Sequence, residues 1–273
     1  MKEKTIDKKI MTYASATLIL LVIAVVLRTV CLFVSFDAYI GYYKDGFLTT
    51  VLNTFLLLSA LCFVSAFFTV KQDVSCSDGR EKNTVLKVAS LLPTVALSYS
   101  VALAVSDVRT LTVFTAIISV AAILSIISFF AKIFDLKGNT THALLGFAVI
   151  IYCVAAVVNS YFDAYELFNG PNKIMMHLAL LSVALFMLAE IRAYADKLKK
   201  GYYVATLCAA TFFCGVCAIP TLIFYISSEF TNNYLVYHWV IAGFFAYLIV
   251  RLFSFVLSSA AADEETEAEV SAE

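Results

Sequence analysis

Eight apolar stretches, each long enough to cross a bilayer as a helix, occupy nearly the whole of this chain. A transmembrane helix needs about 20 mostly apolar residues to cover roughly 30 Å of hydrocarbon. Such stretches fall near 12–35, 47–70, 86–105, 110–134, 142–162, 173–197, 202–227 and 234–259. In lipid every backbone polar group must be satisfied internally, so segments of this length and hydrophobicity are restricted to helices. The expected fold class is therefore an all-α integral membrane protein with eight transmembrane helices. Composition agrees: 62% of residues are hydrophobic and 14% charged, against about half and a quarter in soluble domains.

Lys2, Lys4, Lys8 and Lys9 precede the first stretch and invite a signal-peptide reading. Its apolar run is too long for a signal core, and the small residues Ala14 and Ala16 precede that run instead of following it. We expect it to remain as a membrane helix. Orientation follows from the basic residues of the connections. One side holds Lys2, Lys4, Lys8, Lys9, Lys71, Arg80, Lys82, Lys87, Lys132, Lys137, Arg192, Lys197, Lys199 and Lys200; the other holds only Lys44, Arg109 and Lys173. The basic side is expected to be cytoplasmic, with both termini there and the chain in the plasma membrane.

The tetrapeptide Phe-Asp-Ala-Tyr closes the first span at Phe36–Tyr39 and the fifth at Phe162–Tyr165. Other correspondences keep the same order. Val88-Ala89-Ser90-Leu91 resembles Val204-Ala205-Thr206-Leu207, and Ser128-Phe129 matches Ser254-Phe255. These suggest two parallel-oriented four-helix repeats, 1–134 and 135–259, followed by an acidic, disordered cytoplasmic tail at 260–273. Asp37 and Asp163 are the repeated acids. In transporters built from such repeats the substrate site lies at their interface.

Ionisable groups inside spans are costly and mark the best candidate sites. Glu190 and Arg251 lie at comparable depth near the cytoplasmic ends of spans six and eight, which suggests an intramembrane charge pair. The alternative has Arg251 reaching lipid headgroups while Glu190 meets Arg192 or water. His177 and His238 each precede these charges by thirteen positions, which leaves them about 220° apart around the helix and argues against a continuous proton wire. Arg28 is the main outer-side candidate. With Asn53, Asn159, His177 and His238 it forms the proposed ligand-binding set, able to hold an anionic headgroup or carboxylate; the competing role is structural, with Arg28 tied to Asp37 or Asp163.

Pro93 and Pro220 interrupt spans three and seven, and matched interruptions can mark a binding site. Cys214-Gly215-Val216-Cys217 is a C-x-x-C without a second ligand pair nearby, and reads as packing. No cofactor, metal or nucleic-acid motif stands out, and no catalytic motif, so an enzyme is not expected. The expected function is binding or transport of a small or amphipathic solute at the interface between halves. The alternative is a non-enzymatic membrane scaffold or sensor subunit acting through helix contacts and its acidic tail. Expected partners are the lipid bilayer, a small solute or lipid, and a membrane protein.

Overall fold

A computed structural model describes residues 4–37, 41–44, 46–70, 84–106, 112–134, 139–162, 170–195, 199–228 and 235–272. The elements are α1 (Lys4–Val34), β1 (Phe36–Asp37), β2 (Tyr42–Tyr43), α2 (Phe47–Thr69), α3 (Thr84–Ala89), α4 (Leu91–Ser106) and α5 (Val113–Ile133). They continue with α6 (Asn139–Phe162), α7 (Pro171–Tyr194), α8 (Lys200–Ser228) and α9 (Leu235–Ala272). Among the described residues eight helical segments are long and apolar enough to span a membrane, with α3 and α4 together making the third. Their limits fall within a few residues of those read from the sequence.

The third segment is broken close to Pro93, one of the two interruptions expected from the sequence. Pro93 has no N–H to give the carbonyl four residues back, at Ala89, and its ring crowds that turn. The chain accordingly turns at Ser90. Elsewhere hydroxyl side chains sit in the apolar helices by donating to their own preceding turn: Thr17 to Tyr13, Ser59 to Phe55, Ser125 to Ala121 and Thr211 to Leu207. α9 runs past its span through the acidic segment to Ala272.

Helices α4 to α9 succeed one another as packed neighbours, and α9 closes back onto α4. α1 and α2 lie outside this ring against α8, which touches α1, α2, α7 and α9 and is the centre of the fold. α7 and α8 are accordingly the most buried spans, while α2 buries the smallest share of its residues. α7 and α8 pack closely, whereas α2 and the α3–α4 segment, which the expected duplication would pair with them, scarcely touch.

At one end of the bundle β1 and β2 form a short antiparallel hairpin, Phe36 opposite Tyr43 and Asp37 opposite Tyr42. Gly41, at φ 74°, supplies the left-handed residue its turn requires. Phe36 stands edge-on to Phe224 of α8 (5.6 Å) and to Tyr43 (5.7 Å), which pins the hairpin over the end of α8. This is called the hairpin end; the opposite end carries the start of α1. Of the two tetrapeptides, Phe36-Asp37 forms β1 and Phe162 closes α6; Ala38, Tyr39 and Asp163–Tyr165 lie outside the described residues.

Candidate functional site

Two polar constellations stand inside the apolar bundle, one toward each end. Arg28 anchors the first. Its side chain is 0% exposed, and α8 creates the acceptor it binds. Pro220 lies inside α8, and lacking an N–H it cannot bond the carbonyl of Val216, four residues back. Arg28 Nη1 donates to that carbonyl and to the Cys217 carbonyl at 3.0 Å. Nη2 donates to Asn172 Oδ1 (3.0 Å) and Thr221 Oγ1 (3.1 Å). Four of the five guanidinium N–H groups are thereby used; Nε is buried without a partner.

Every one of those acceptors is neutral. Among the described residues no carboxylate pairs with Arg28, so its hydrogen bonds are mostly satisfied while its charge is not compensated. Asp37, a partner expected from the sequence, is not among its hydrogen-bond acceptors. Asp163 lies outside the described residues. Asn159, also expected near Arg28, is elsewhere, its Nδ2 reaching Tyr237 Oη at 3.5 Å.

Arg28 forms part of the wall of a cavity of about 500 Å³ between α1, α2, α7, α8 and the hairpin, within the range typical of ligand pockets, ~300–1,000 Å³. Its polar lining, Arg28, Tyr43, Thr49 and Asn53, comes from the hairpin end. Deeper along α2 and α7 the lining is Leu56, Ala60, Met175 and Leu178, with Phe213 of α8 at the inner limit. The Tyr43 hydroxyl is buried without a hydrogen-bond partner of regular geometry. Burial pushes this phenol above its ordinary pKa, although the Arg28 charge nearby pulls the other way, so it stays a neutral O–H at physiological pH.

α2 and α7 face each other across the cavity yet scarcely touch. Lining residues on both, Leu57 on α2 and Ile174 on α7, are also exposed on the outer surface of the bundle. The cavity therefore opens sideways, toward the surface that lipid would cover.

Of the other candidates, Asn53 lines this cavity; His177 and His238 do not. His177 Nε2 is 2.5 Å from Ser160 Oγ on α6, and His238 is buried with its ring edge-on to Tyr225. Lys173, which the sequence suggests is a loop cation, is 3% exposed in the first turn of α7, and its Nζ has no hydrogen-bond partner. It shares a helix face with His177, four residues on.

The second constellation surrounds Glu190, which is 4% exposed. Arg251 Nη2 lies 3.0 Å and Nε 3.1 Å from Glu190 Oε1. Tyr203 donates to the same oxygen at 2.5 Å, and Lys132 Nζ is 3.4 Å from Oε2. Lys132 also donates to Tyr247 Oη at 3.1 Å and lies over the Phe129 and Tyr247 rings. One carboxylate on α7 thus serves two cations, Lys132 of α5 and Arg251 of α9. Arg192, the alternative partner for Glu190, instead lies over the Tyr202 ring. Lys132, Tyr203 and Tyr247 escape a sequence reading: the lysine resembles a loop cation, and the tyrosines are indistinguishable from interfacial aromatics.

Cys214 and Cys217 are buried free thiols, and Cys214 Sγ lies 3.8 Å from the Ala179 carbonyl. Among the described residues no three His, Cys, Asp or Glu side chains converge as a metal cluster. Neither protein-family models, curated proteins nor solved structures show a match to the chain.

Proposed function

We propose that this chain is a multi-pass membrane protein that binds a small or amphipathic solute in the Arg28 cavity, with a role in holding or moving that solute and not in chemistry. The observation that carries the reading is a fully buried cation, without a counter-charge among the described residues, in the wall of a ligand-sized cavity. Burying an unpaired charge is costly, and a bound anion offsets that cost. The 14 to 3 division of basic residues counted in the sequence supports cytoplasmic termini, which puts the hairpin and the polar mouth of the cavity on the outer side. The four-plus-four duplication rests on the sequence matches alone, and the site does not require it, since the cavity lies between α1–α2 and α7–α8 and not on a symmetry axis.

The Glu190 cluster is better suited to a structural role, because its carboxylate is saturated by Arg251, Lys132 and Tyr203. The scaffold alternative draws on α2, whose Leu57, Leu58, Leu61, Val64 and Phe68 are all exposed and suit either lipid or another helix.

Ala60→Phe, which fills the cavity without touching Arg28, tests the proposal. Wild-type protein in phosphatidylcholine nanodiscs should retain a ligand on native mass spectrometry that the folded variant has lost. Equal ligand content in both refutes the reading.

A further inference from the structure

The occupant must meet three conditions set by the cavity: its charge, the direction of its polarity and its route of entry. The charge is positive. Arg28 brings a full cation whose four bonded N–H groups end on neutral acceptors, with Nε buried and unbonded. Tyr43 adds a neutral hydroxyl beside Arg28 that makes no hydrogen bond of regular geometry. A carboxylate or phosphate oxygen satisfies both, and charge-assisted bonds of this type are the strong ones.

The polarity is graded along the cavity. From Thr49 to Ala60 the lining of α2 covers twelve residues, a rise of ~16 Å at 1.5 Å per residue. The cavity's other hydrogen-bonding side chains, Tyr43, Thr49 and Asn53, lie toward the hairpin, the Arg28 guanidinium meets α8 at Val216 and Cys217, about one turn above Phe213, and below Asn53 the α2 and α7 walls are apolar. A small inorganic anion would leave that lower half empty, whereas an alkyl chain fills it. The route is lateral, because α2 and α7 line opposite walls without packing on each other. A molecule dissolved in the bilayer reaches this opening directly, with its chain already in hydrocarbon.

Building on the solute-binding reading above, we infer that the cavity takes an anionic amphiphile, with a carboxylate or phosphate headgroup against Arg28 and Tyr43 and a single alkyl chain along Leu56 and Ala60, admitted from the membrane between α2 and α7. The headgroup lies toward the hairpin end, and no bond is made or broken.

The test is a titration of the nanodisc-embedded protein followed by native mass spectrometry, with dodecyl phosphate, dodecanoate, dodecanol and inorganic phosphate as probes. Both anionic amphiphiles should bind one per chain and at least tenfold more tightly than dodecanol, while inorganic phosphate is not retained. Dodecanol binding as tightly as the anions would overturn the inference, since Arg28 would then be a purely structural cation. Retention of inorganic phosphate at the affinity of dodecyl phosphate would also overturn it, in favour of a small-anion site. Ala60→Phe should abolish amphiphile binding while Arg28 and its bonds stay in place. Arg28→Met in the Pro220→Ala background, chosen to keep α8 satisfied, should reduce the anions to the affinity of dodecanol. If none of the probes binds but another ligand is lost on Ala60→Phe, the amphiphile inference fails and the solute-binding reading stands. If Ala60→Phe changes the retention of no ligand at all, both fail.

Discussion

Removing Arg28 should cost most where α8 is already short of a hydrogen bond. Arg28→Met leaves the Val216 carbonyl, which Pro220 cannot serve, without its donor in a buried site. A buried acceptor stripped of its partner costs about 1–3 kcal/mol. The Cys217 carbonyl is spared, because Thr221 Oγ1 also donates to it at 2.7 Å. Pro220→Ala returns an N–H four residues beyond Val216, so the double variant regains the helical bond that the single variant lacks. Loss of the pyrrolidine ring removes some packing, at about 0.8 kcal/mol per buried CH₂, but that change is shared by both arms of a double-mutant cycle and cancels. We expect Arg28→Met and Pro220→Ala to be non-additive by about 1–3 kcal/mol, with the double more stable than the sum of the singles. The measurement is unfolding of the four proteins in mixed micelles titrated with sodium dodecyl sulfate, followed by helical circular dichroism. Additivity within about 0.5 kcal/mol, the scatter seen for independent sites, would refute the claim that Arg28 caps the carbonyl exposed by Pro220.

In the Glu190 cluster, Glu190→Gln strands two cations and should cost about 3–5 kcal/mol; Arg251→Met leaves Lys132 and Tyr203 on the carboxylate and should cost less, with Lys132→Met least, in the same unfolding titration. The reverse order would show that the carboxylate is not the hub. An added Cβ at Gly201 would meet the backbone oxygens of Val70 at 2.9 Å and Phe67 at 3.1 Å, while at Gly146 it meets only side-chain atoms of Ile191 and Met187. Gly201→Ala should therefore lower stability by about 1–3 kcal/mol and Gly146→Ala by clearly less, and equal losses would contradict the close approach of α8 to α2. Cys214 and Cys217 should remain unmodified by N-ethylmaleimide until the protein is unfolded, as read by peptide mass; labelling of the native protein would mean that the centre of α8 is accessible. Tyr42→Cys should react with an impermeant maleimide added outside intact cells while a carboxy-terminal tag stays protected, and the opposite pattern would invert the topology.

The eight long apolar helices were legible because hydrocarbon thickness and backbone satisfaction leave a sequence so apolar few options, and neither depends on which helix touches which. The common depth of Glu190 and Arg251 was legible for the same reason. Lys132 was not, because a lysine in the last turn of a span looks the same whether it faces headgroups or turns inward. Arg28 is the more instructive position. Its expected partners were side chains, and two of its four actual ones are main-chain carbonyls, which no side-chain inventory contains. The signal was nevertheless in the sequence as Pro220, which marks Val216 as the one carbonyl of that turn in need of a donor. What placed Arg28 beside it was the packing of α1 on α8, a long-range contact that hydropathy alone does not encode.

The most direct measurement is a high-resolution cryo-electron microscopy map of the protein in nanodiscs containing an anionic single-chain lipid. We predict an elongated density between α2 and α7, its polar end within hydrogen-bonding distance of Arg28 or Tyr43, roughly 3 Å, and its tail running past Ala60. An empty or water-filled cavity, or α2 closed against α7 with Arg28 paired to a protein carboxylate, would contradict it.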